Sequence, residues 1–326
     1  MTRPHVDHTQ DSPVLAVDLG GTKITVGAVH PDGTVTGKRT IRTGAVRGPE
    51  AILADLVSLL GLVHAEVPDA LLIGIGSAGV VDPSDGSILS ATDAIPGWTG
   101  TPLATHVADR LGLPVYALND VHAHALGEAR RGAGEGRASM LMVAVGTGVG
   151  GGFVQDGQVL AGHRAVAGHV GHIPVPEAAG LPCTCGRTGH LEALASGPAT
   201  RAAYLQAGGE LGDTEDTREV VRRAESGEQL ALEVLTTSAR AVGRSIGALL
   251  NVLDPEIVVL SGGMADAGEL WWQAVREGVA LEAMDRVAST ELVPATAGAD
   301  AALLGAADFA RERARTESIR ADHTDA

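Results

Sequence analysis

Three times in this chain an apolar, largely β-branched run ends directly in a cluster of glycines, and that pattern constrains the fold more than any other feature. The first is Val14–Asp18 before Leu19-Gly20-Gly21-Thr22-Lys23. The second is Met140–Val145 before Gly146-Thr147-Gly148-Val149-Gly150-Gly151-Gly152, and the third is Glu256–Leu260 before Ser261-Gly262-Gly263. Short apolar runs bounded by glycine read as buried strands, and glycine beyond them lets backbone N–H groups approach anionic oxygens closely. A plain tight turn explains any one cluster. Three of them, spread over both halves of the chain, fit a nucleotide held at the carboxyl ends of strands, in a cleft between two lobes. The first is not a Walker loop, because the spacing to Lys23 is wrong and a strand rather than a helix follows.

A chain of 326 residues predicts two lobes rather than one minimal core. After the first glycine turn, Ile24–Val29 and Thr34–Arg42 read as strands joined at Asp32-Gly33. Pro49 opens a helix with Ile52, Leu56, Leu59, Leu60 and Val63 on one face. The strand Leu71–Ile75 ends in Gly76-Ser77-Ala78-Gly79, and a helix over Leu103–Leu111 leads to the strand Val115–Leu118. These elements make a small α/β lobe over 14–118, completed by a helix returning over about 301–311. A larger lobe spans 119–300, and its longest helix, Gln229–Leu253, repeats Leu235, Ala239, Val242, Ile246, Leu249 and Leu253. A strand follows that helix at once, as in the first lobe, which suggests a duplicated architecture. The polar stretches 1–13 and 312–326 read as disordered tails.

Composition narrows the class of function. Hydrophobic residues make up 44% and aromatics only 2%, so the core is aliphatic and platforms for stacking bases are scarce. Against 24 basic residues stand 40 acidic ones, a net charge of −16, which disfavours a nucleic-acid partner. There is no apolar signal core and no membrane-length apolar run, so the expectation is a cytoplasmic protein without membrane partners.

His172, Cys183, Cys185 and His190 fall within nineteen residues, and the chain has no other cysteine. Thiolate sulfur and imidazole nitrogen are the ordinary ligands of structural zinc, and these four supply a complete shell. The alternatives are a Cys183–Cys185 disulfide or a loop that merely contains histidines. A bridge between residues two apart closes a very tight ring, and cytoplasmic chains rarely keep disulfides. Elsewhere, Asn119-Asp120 follows one strand and precedes a helical run, where Asp120 can be a helix cap, a catalytic carboxylate, or both.

Taken together these residues resemble the ROK family of sugar kinases and repressors, within the actin-like, hexokinase-like ATPases. The resemblance runs from about Val14 to Ala310. It implies an α/β fold of two lobes around an interlobe cleft. Asp18-Leu-Gly-Gly-Thr-Lys23 and Gly146–Gly152 are similar to the family's two phosphate motifs, and Leu260-Ser-Gly-Gly263 to its adenosine motif. This implies ATP and Mg²⁺ at Asp18, Gly20, Gly21, Thr22, Lys23, Gly146, Thr147, Gly148, Gly262 and Gly263. Leu118-Asn-Asp120 resembles the catalytic motif, with Asp120 as the base. Gly168-His169-Val-Gly-His172 and Cys183-x-Cys185-Gly-x-x-Gly-His190-x-Glu192 resemble the sugar and zinc signature. The implied sugar contacts are Gly79, Asn119, Asp120, His169, His172 and Glu192, and the implied partners are a small sugar and a second copy of the chain, as a homodimer or dimer of dimers.

Two positions depart from the family pattern. His190 replaces the last zinc cysteine but keeps a nitrogen ligand. His169 stands where most sugar kinases of the family carry a sugar-binding Glu, a form shared with its bacterial N-acetylmannosamine kinases. The expected activity is therefore phosphorylation of the 6-hydroxyl of N-acetylmannosamine, with glucose as the alternative substrate. A sugar-responsive repressor is the competing class, and only seventeen residues precede Asp18 where such repressors carry a DNA-binding domain.

Overall fold

The computed structural model describes residues 11–92, 94–212 and 216–324, the side chains of 321–324 excepted. In chain order the first elements are β1 (Val14–Leu19), β2 (Lys23–Val29), β3 (Val35–Arg42), α1 (Pro49–Glu66), β4 (Leu72–Ser77), β5 (Val80–Val81), β6 (Ile88–Ser90), α2 (Leu103–Leu111), β7 (Val115–Asn119) and α3 (Asp120–Arg131). There follow β8 (Ser139–Val145), β9 (Val149–Gln155), β10 (Gln158–Val159), α4 (Glu192–Ala195), α5 (Gly197–Gln206), α6 (Arg218–Glu225), α7 (Gln229–Leu253), β11 (Ile257–Ser261), α8 (Gly268–Glu282), β12 (Glu291–Pro294) and α9 (Ala301–Thr324).

The two main sheets run β3-β2-β1-β4-β7 and β10-β9-β8-β11-β12, the same order built twice. In each, an antiparallel hairpin is followed by two strands added parallel to its first strand: β1 with β2 then β4, β8 with β9 then β11. The duplication inferred from the helix–strand repeat is therefore a duplication of sheet topology.

Two compact units comprise residues 1–136, 157–167 and 296–326, and residues 137–156 and 168–295. These boundaries differ from those expected at 118 and 300. Helix α3 belongs with the first unit because it packs on α9 without side chains in the way: a Cβ at Gly127 would collide with the Ala301 carbonyl, and one at Gly305 with that of Ala123. In the first sheet, alternation along β1 serves two layers. Leu15 and Val17 face Ile52, Leu56 and Leu60 of α1, while Val14 and Ala16 pack with Leu303 and Ala307 of α9.

The helix α9 is longer than the sequence suggests, continuing to Thr324 through residues expected to be a tail. Its polar half has no apolar stripe and is instead held by side chains reaching back to the sheet unit. Arg130 and Gln158 bond Glu312, and Tyr116 Oη donates to Glu317 Oε2 at 2.8 Å. Asp308 takes both arms of Arg131 at 2.9 Å and a bond from Arg311 at 3.2 Å. Of the other expected tail, 1–13, residues 1–10 lie outside the described residues.

In the second unit α7 and α8 approach closely because small residues line their contact. A Cβ at Gly243 or Gly278 would strike the backbone of the opposing helix. Leu235, Ala239, Val242 and Ile246 of the expected seam are buried, and Leu249 and Leu253 pack at its margin. The glycine tract after β8 is only partly a loop: Gly150, Gly151 and Gly152 lie in β9, paired with Ala144, Val143 and Met142. Glycine is needed there because a Cβ at Gly151 would come within 2.7 Å of the Met142 oxygen and 3.2 Å of Val170. The histidine-bearing turn Val170–His172 can thus lie flat on the strand.

Candidate functional site

In the first unit, Asp18 is the fifth residue of β1 and Gly20–Lys23 turn the chain into β2. The turn closes by Gly20 N–H to Lys23 O at 3.0 Å and is buttressed by Thr43, whose hydroxyl donates to Gly20 O at 2.6 Å. Thr22 and Lys23 are exposed. Asp120 opens α3 at the end of β7. The cap of that helix is Asn119, whose Oδ1 accepts from Val121 N at 3.0 Å and His122 N at 3.1 Å. The Asn119 amide donates to Gly79 O and to Asp120 Oδ1, both at 2.9 Å. Both of its N–H groups are thus engaged within the protein, which links the Gly79 turn to Asp120. Asp120 Oδ1 also accepts from Val121 N at 2.9 Å, and Oδ2 lies outside these bonds.

Electrostatics set Asp120 apart. Burial raises its pKa, the Asp18 charge raises it further, and the bonds from Val121 and Asn119 hold it back, leaving it at about 6. Asp18 is raised as well, by burial, with Lys23 opposing. Two carboxylates that each resist ionisation form a donor set that a divalent cation would relieve.

Gly79 has φ +94° and its added Cβ would sit 2.8 Å from Ser90 O, so the turn demands glycine. Trp98, fully buried, pins this turn by donating Nε1 to Ala78 O at 3.2 Å and Ser77 Oγ at 3.4 Å. The sequence reading missed Trp98 and Ser77. In a chain with three tryptophans, one placed directly after Pro96-Gly97 was the available signal.

In the second unit, the turn Gly146–Gly148 is closed by Gly146 N–H to Gly148 O at 2.9 Å and anchored by Gly197 N–H to Gly146 O at 2.8 Å. A Cβ at Gly146 or Gly263 would meet nothing within 4 Å, which is room for a phosphate or ribose to approach. Gly262 has φ +83° and lies against the Val145 backbone. Glu192 begins α4, its Oε2 accepting from Val149 N at 2.9 Å and its Oε1 from the Thr184 hydroxyl at 2.6 Å.

The cysteine loop is a small hairpin. Pro182 and Thr188 bridge, as do Pro174 and His190, and Gly186 and Gly189 turn it at φ +82° and +81°. This brings the ligand atoms of His172, Cys183, Cys185 and His190 within 4.8 Å of one another. Cys183 Sγ lies 3.5 Å from His172 Nδ1 and Cys185 Sγ 3.2 Å from His190 Nδ1. Both cysteines are free thiols, so the disulfide alternative is not realised. Zinc–ligand bonds of about 2.0–2.3 Å put tetrahedral ligands roughly 3.5 Å apart, which this quartet fits. Two thiolates and two neutral imidazoles would balance the charge of Zn²⁺. The His169 ring lies stacked on His172, with centroids 6.2 Å apart and planes at 28°.

The chain is similar to known proteins over nearly its whole length. The model of the ROK family matches residues 14–313. A glucokinase of Thermotoga maritima is 33% identical over 314 residues, 92% of this chain and 98% of the relative. An N-acetylmannosamine kinase of Escherichia coli O139:H28 is 35% identical over 298 residues, 91% of this chain and 98% of the relative. The crystal structure of a ROK family glucokinase from Streptomyces griseus in complex with glucose and AMPPNP superposes with a TM-score of 0.78 at 30% identity, covering 92% of this chain and all of that one. With a duplicated actin-like sheet topology, a cysteine–histidine quartet of metal-binding geometry and a family match over nearly its whole length, this chain belongs to the ROK family.

Proposed function

We propose that this protein is an ATP-dependent sugar kinase that phosphorylates the 6-hydroxyl of N-acetylmannosamine. The observation that carries the choice of sugar is His169, an imidazole stacked on His172 where the family resemblance leads one to expect a carboxylate. A carboxylate accepts from two vicinal hydroxyls, whereas neutral imidazole offers one donor and one acceptor. An N-acetyl group, carrying its own carbonyl acceptor, suits an imidazole N–H better than a bare 2-hydroxyl does. The similarity to an N-acetylmannosamine kinase supports this reading. The similarity to a glucokinase over a longer span favours a second one, D-glucose as substrate.

Asp120 is the general base, and a pKa of about 6 suits a base that works near neutral pH. Asn119 fixes Oδ1, and Oδ2 takes the proton of the 6-hydroxyl as the new oxygen–phosphorus bond forms and the bond to ADP breaks. Bound Mg-ATP supplies the electrophilic phosphoryl group and neutralises charge on it. Asp18 would help hold the magnesium ion, which would offset phosphate charge, and the turns Gly20–Lys23, Gly146–Gly148 and Gly262-Gly263 would present backbone N–H groups to the nucleotide. Gly79, Asn119, Asp120, His169, His172 and Glu192 are the residues assigned to the sugar. His172, Cys183, Cys185 and His190 hold a zinc ion that keeps the cysteine loop in shape.

The reading includes a cytoplasmic homodimer or dimer of dimers. Val252 and Leu281, near the ends of α7 and α8, and Met284 just beyond α8 are 77%, 61% and 59% exposed, apolar side chains that suit a subunit contact. No helix among the described residues is long and apolar enough to cross a membrane. A coupled ADP-release assay against N-acetylmannosamine, N-acetylglucosamine, glucose and mannose tests the substrate. The highest kcat/KM is expected for N-acetylmannosamine, and a roughly tenfold preference for glucose would establish a glucokinase instead.

A further inference from the structure

The carboxylate of Glu192 is held from two sides by segments with different duties. Its Oε2 accepts the N–H of Val149, the residue directly after the glycine turn, at 2.9 Å. Its Oε1 accepts the hydroxyl of Thr184 at 2.6 Å, and Thr184 stands between the two cysteines of the metal quartet. The turn abuts the same carboxylate: a Cβ at Gly148 would lie 2.8 Å from Oε2. Thr184 is exposed and Glu192 half-buried, and besides Glu192 the threonine hydroxyl meets Cys183 Sγ at 4.0 Å, so its rotamer follows the geometry of the cysteine loop.

We infer that Thr184 is a positioning residue, which locks the Glu192 carboxylate against the glycine turn and so ties the state of the metal loop to sugar affinity. The inference rests on the reading of Glu192 as a sugar contact. A short hydrogen bond from a neutral hydroxyl to a charged carboxylate is stronger than one between neutral groups, and it fixes the plane of that carboxylate. With Oε1 and Oε2 each committed to one protein donor, each keeps a lone pair, in a fixed direction, for a ring hydroxyl. Without the Thr184 hydroxyl the carboxylate rotates about its remaining bond to Val149, and the sugar must order it on binding. The glycine turn keeps its own closing bond from Gly146 N–H to Gly148 O, so nucleotide affinity is not part of the effect.

The test uses the full-length, zinc-loaded protein with Thr184→Val, which keeps the shape and removes the hydroxyl, and Thr184→Ser, which restores it. In Thr184→Val, KM for the sugar should rise roughly three- to tenfold, with a smaller change in kcat and none in KM for ATP. Zinc content by elemental analysis should stay equal to wild type. Exchange of the Val149 amide in the sugar-free protein, read by NMR, should quicken by a similar factor, because its acceptor has become mobile. Thr184→Ser should return both values. Unchanged amide exchange and unchanged sugar KM in Thr184→Val would overturn the inference, as would zinc loss or a matching rise in KM for ATP, either of which marks general loosening of the loop. If wild type phosphorylates no sugar while Val149 exchange still responds to both variants as stated, the functional reading falls and the Thr184–Glu192 lock stands.

Discussion

Asn119, not Asp120, caps helix α3, its Oδ1 taking the His122 N–H at 3.1 Å while its amide steadies Asp120 Oδ1 at 2.9 Å. A single side chain therefore removes the ordinary reason for an aspartate at this place and aims the carboxylate next to it. The cap, one of the two roles open to Asp120 in the sequence, belongs in the folded chain to its neighbour.

Asp120→Asn should lower turnover by at least about a hundredfold, since it keeps shape and hydrogen-bonding reach but removes the base. Sugar binding by calorimetry should change far less. Retained turnover would reduce Asp120 to a structural residue.

The raised pKa of Asp120 gives activity and stability opposite pH trends. The base works ionised, so kcat/KM should fall as the pH drops through about 6, with the slope of one proton. For stability the folded pKa of about 6 exceeds the ordinary aspartate value of 3.8, so the ionised form costs stability above the folded value and the cost fades as pH falls between the two. Asp120→Asn should therefore be more stable than wild type near neutral pH, by on the order of 1–3 kcal/mol, with the difference closing near pH 4. Chemical denaturation at both pH values measures it.

Replacing Cys183 by Ala removes the buried thiol of the metal quartet. Zinc content should fall from about one per chain and the melting temperature should drop, because ligand binding is here folding energy for a loop with few buried contacts. An unaltered melting curve with no zinc in wild-type protein would exclude the structural metal.

Gly148→Val places its Cβ 2.8 Å from Glu192 Oε2 before the rest of the side chain is counted. The variant should fold and should raise KM for ATP, because a side chain intrudes on the turn assigned to phosphate, and KM for sugar, because it displaces Glu192 Oε2, the expected sugar contact. Initial-rate measurements varying each substrate check this. A change confined to ATP would separate Glu192 from sugar binding.

His169→Glu should shift the ratio of kcat/KM from N-acetylmannosamine towards glucose by roughly tenfold or more, the worth of one or two charge-assisted bonds to a hydroxyl. The ratio of specificity constants in wild type and variant reads it directly.

The sequence by itself determined the elements and their chemistry. The helix over Gln229–Leu253 is legible from its apolar period alone, and the α1 face from Ile52 to Val63 likewise, because burial of a stripe is written into residue spacing. The His–Cys quartet is legible because these residue types, gathered so densely, suit a metal ion better than most other sites. What only the tertiary structure decided depends on contacts between residues far apart in the chain. Helix α3 joins the first unit, not the second, through glycine contacts with α9 that no local pattern shows. The polar end of α9 is helical because Arg130 and Tyr116, 182 and 201 residues away, bond Glu312 and Glu317. Gly150–Gly152 became strand because β8 pairs them and the His169–His172 segment needs a flat surface there. Thr184 looks like an incidental residue between two cysteines until the hairpin brings its hydroxyl to Glu192, a bond set by the folded loop and absent from any local spacing rule.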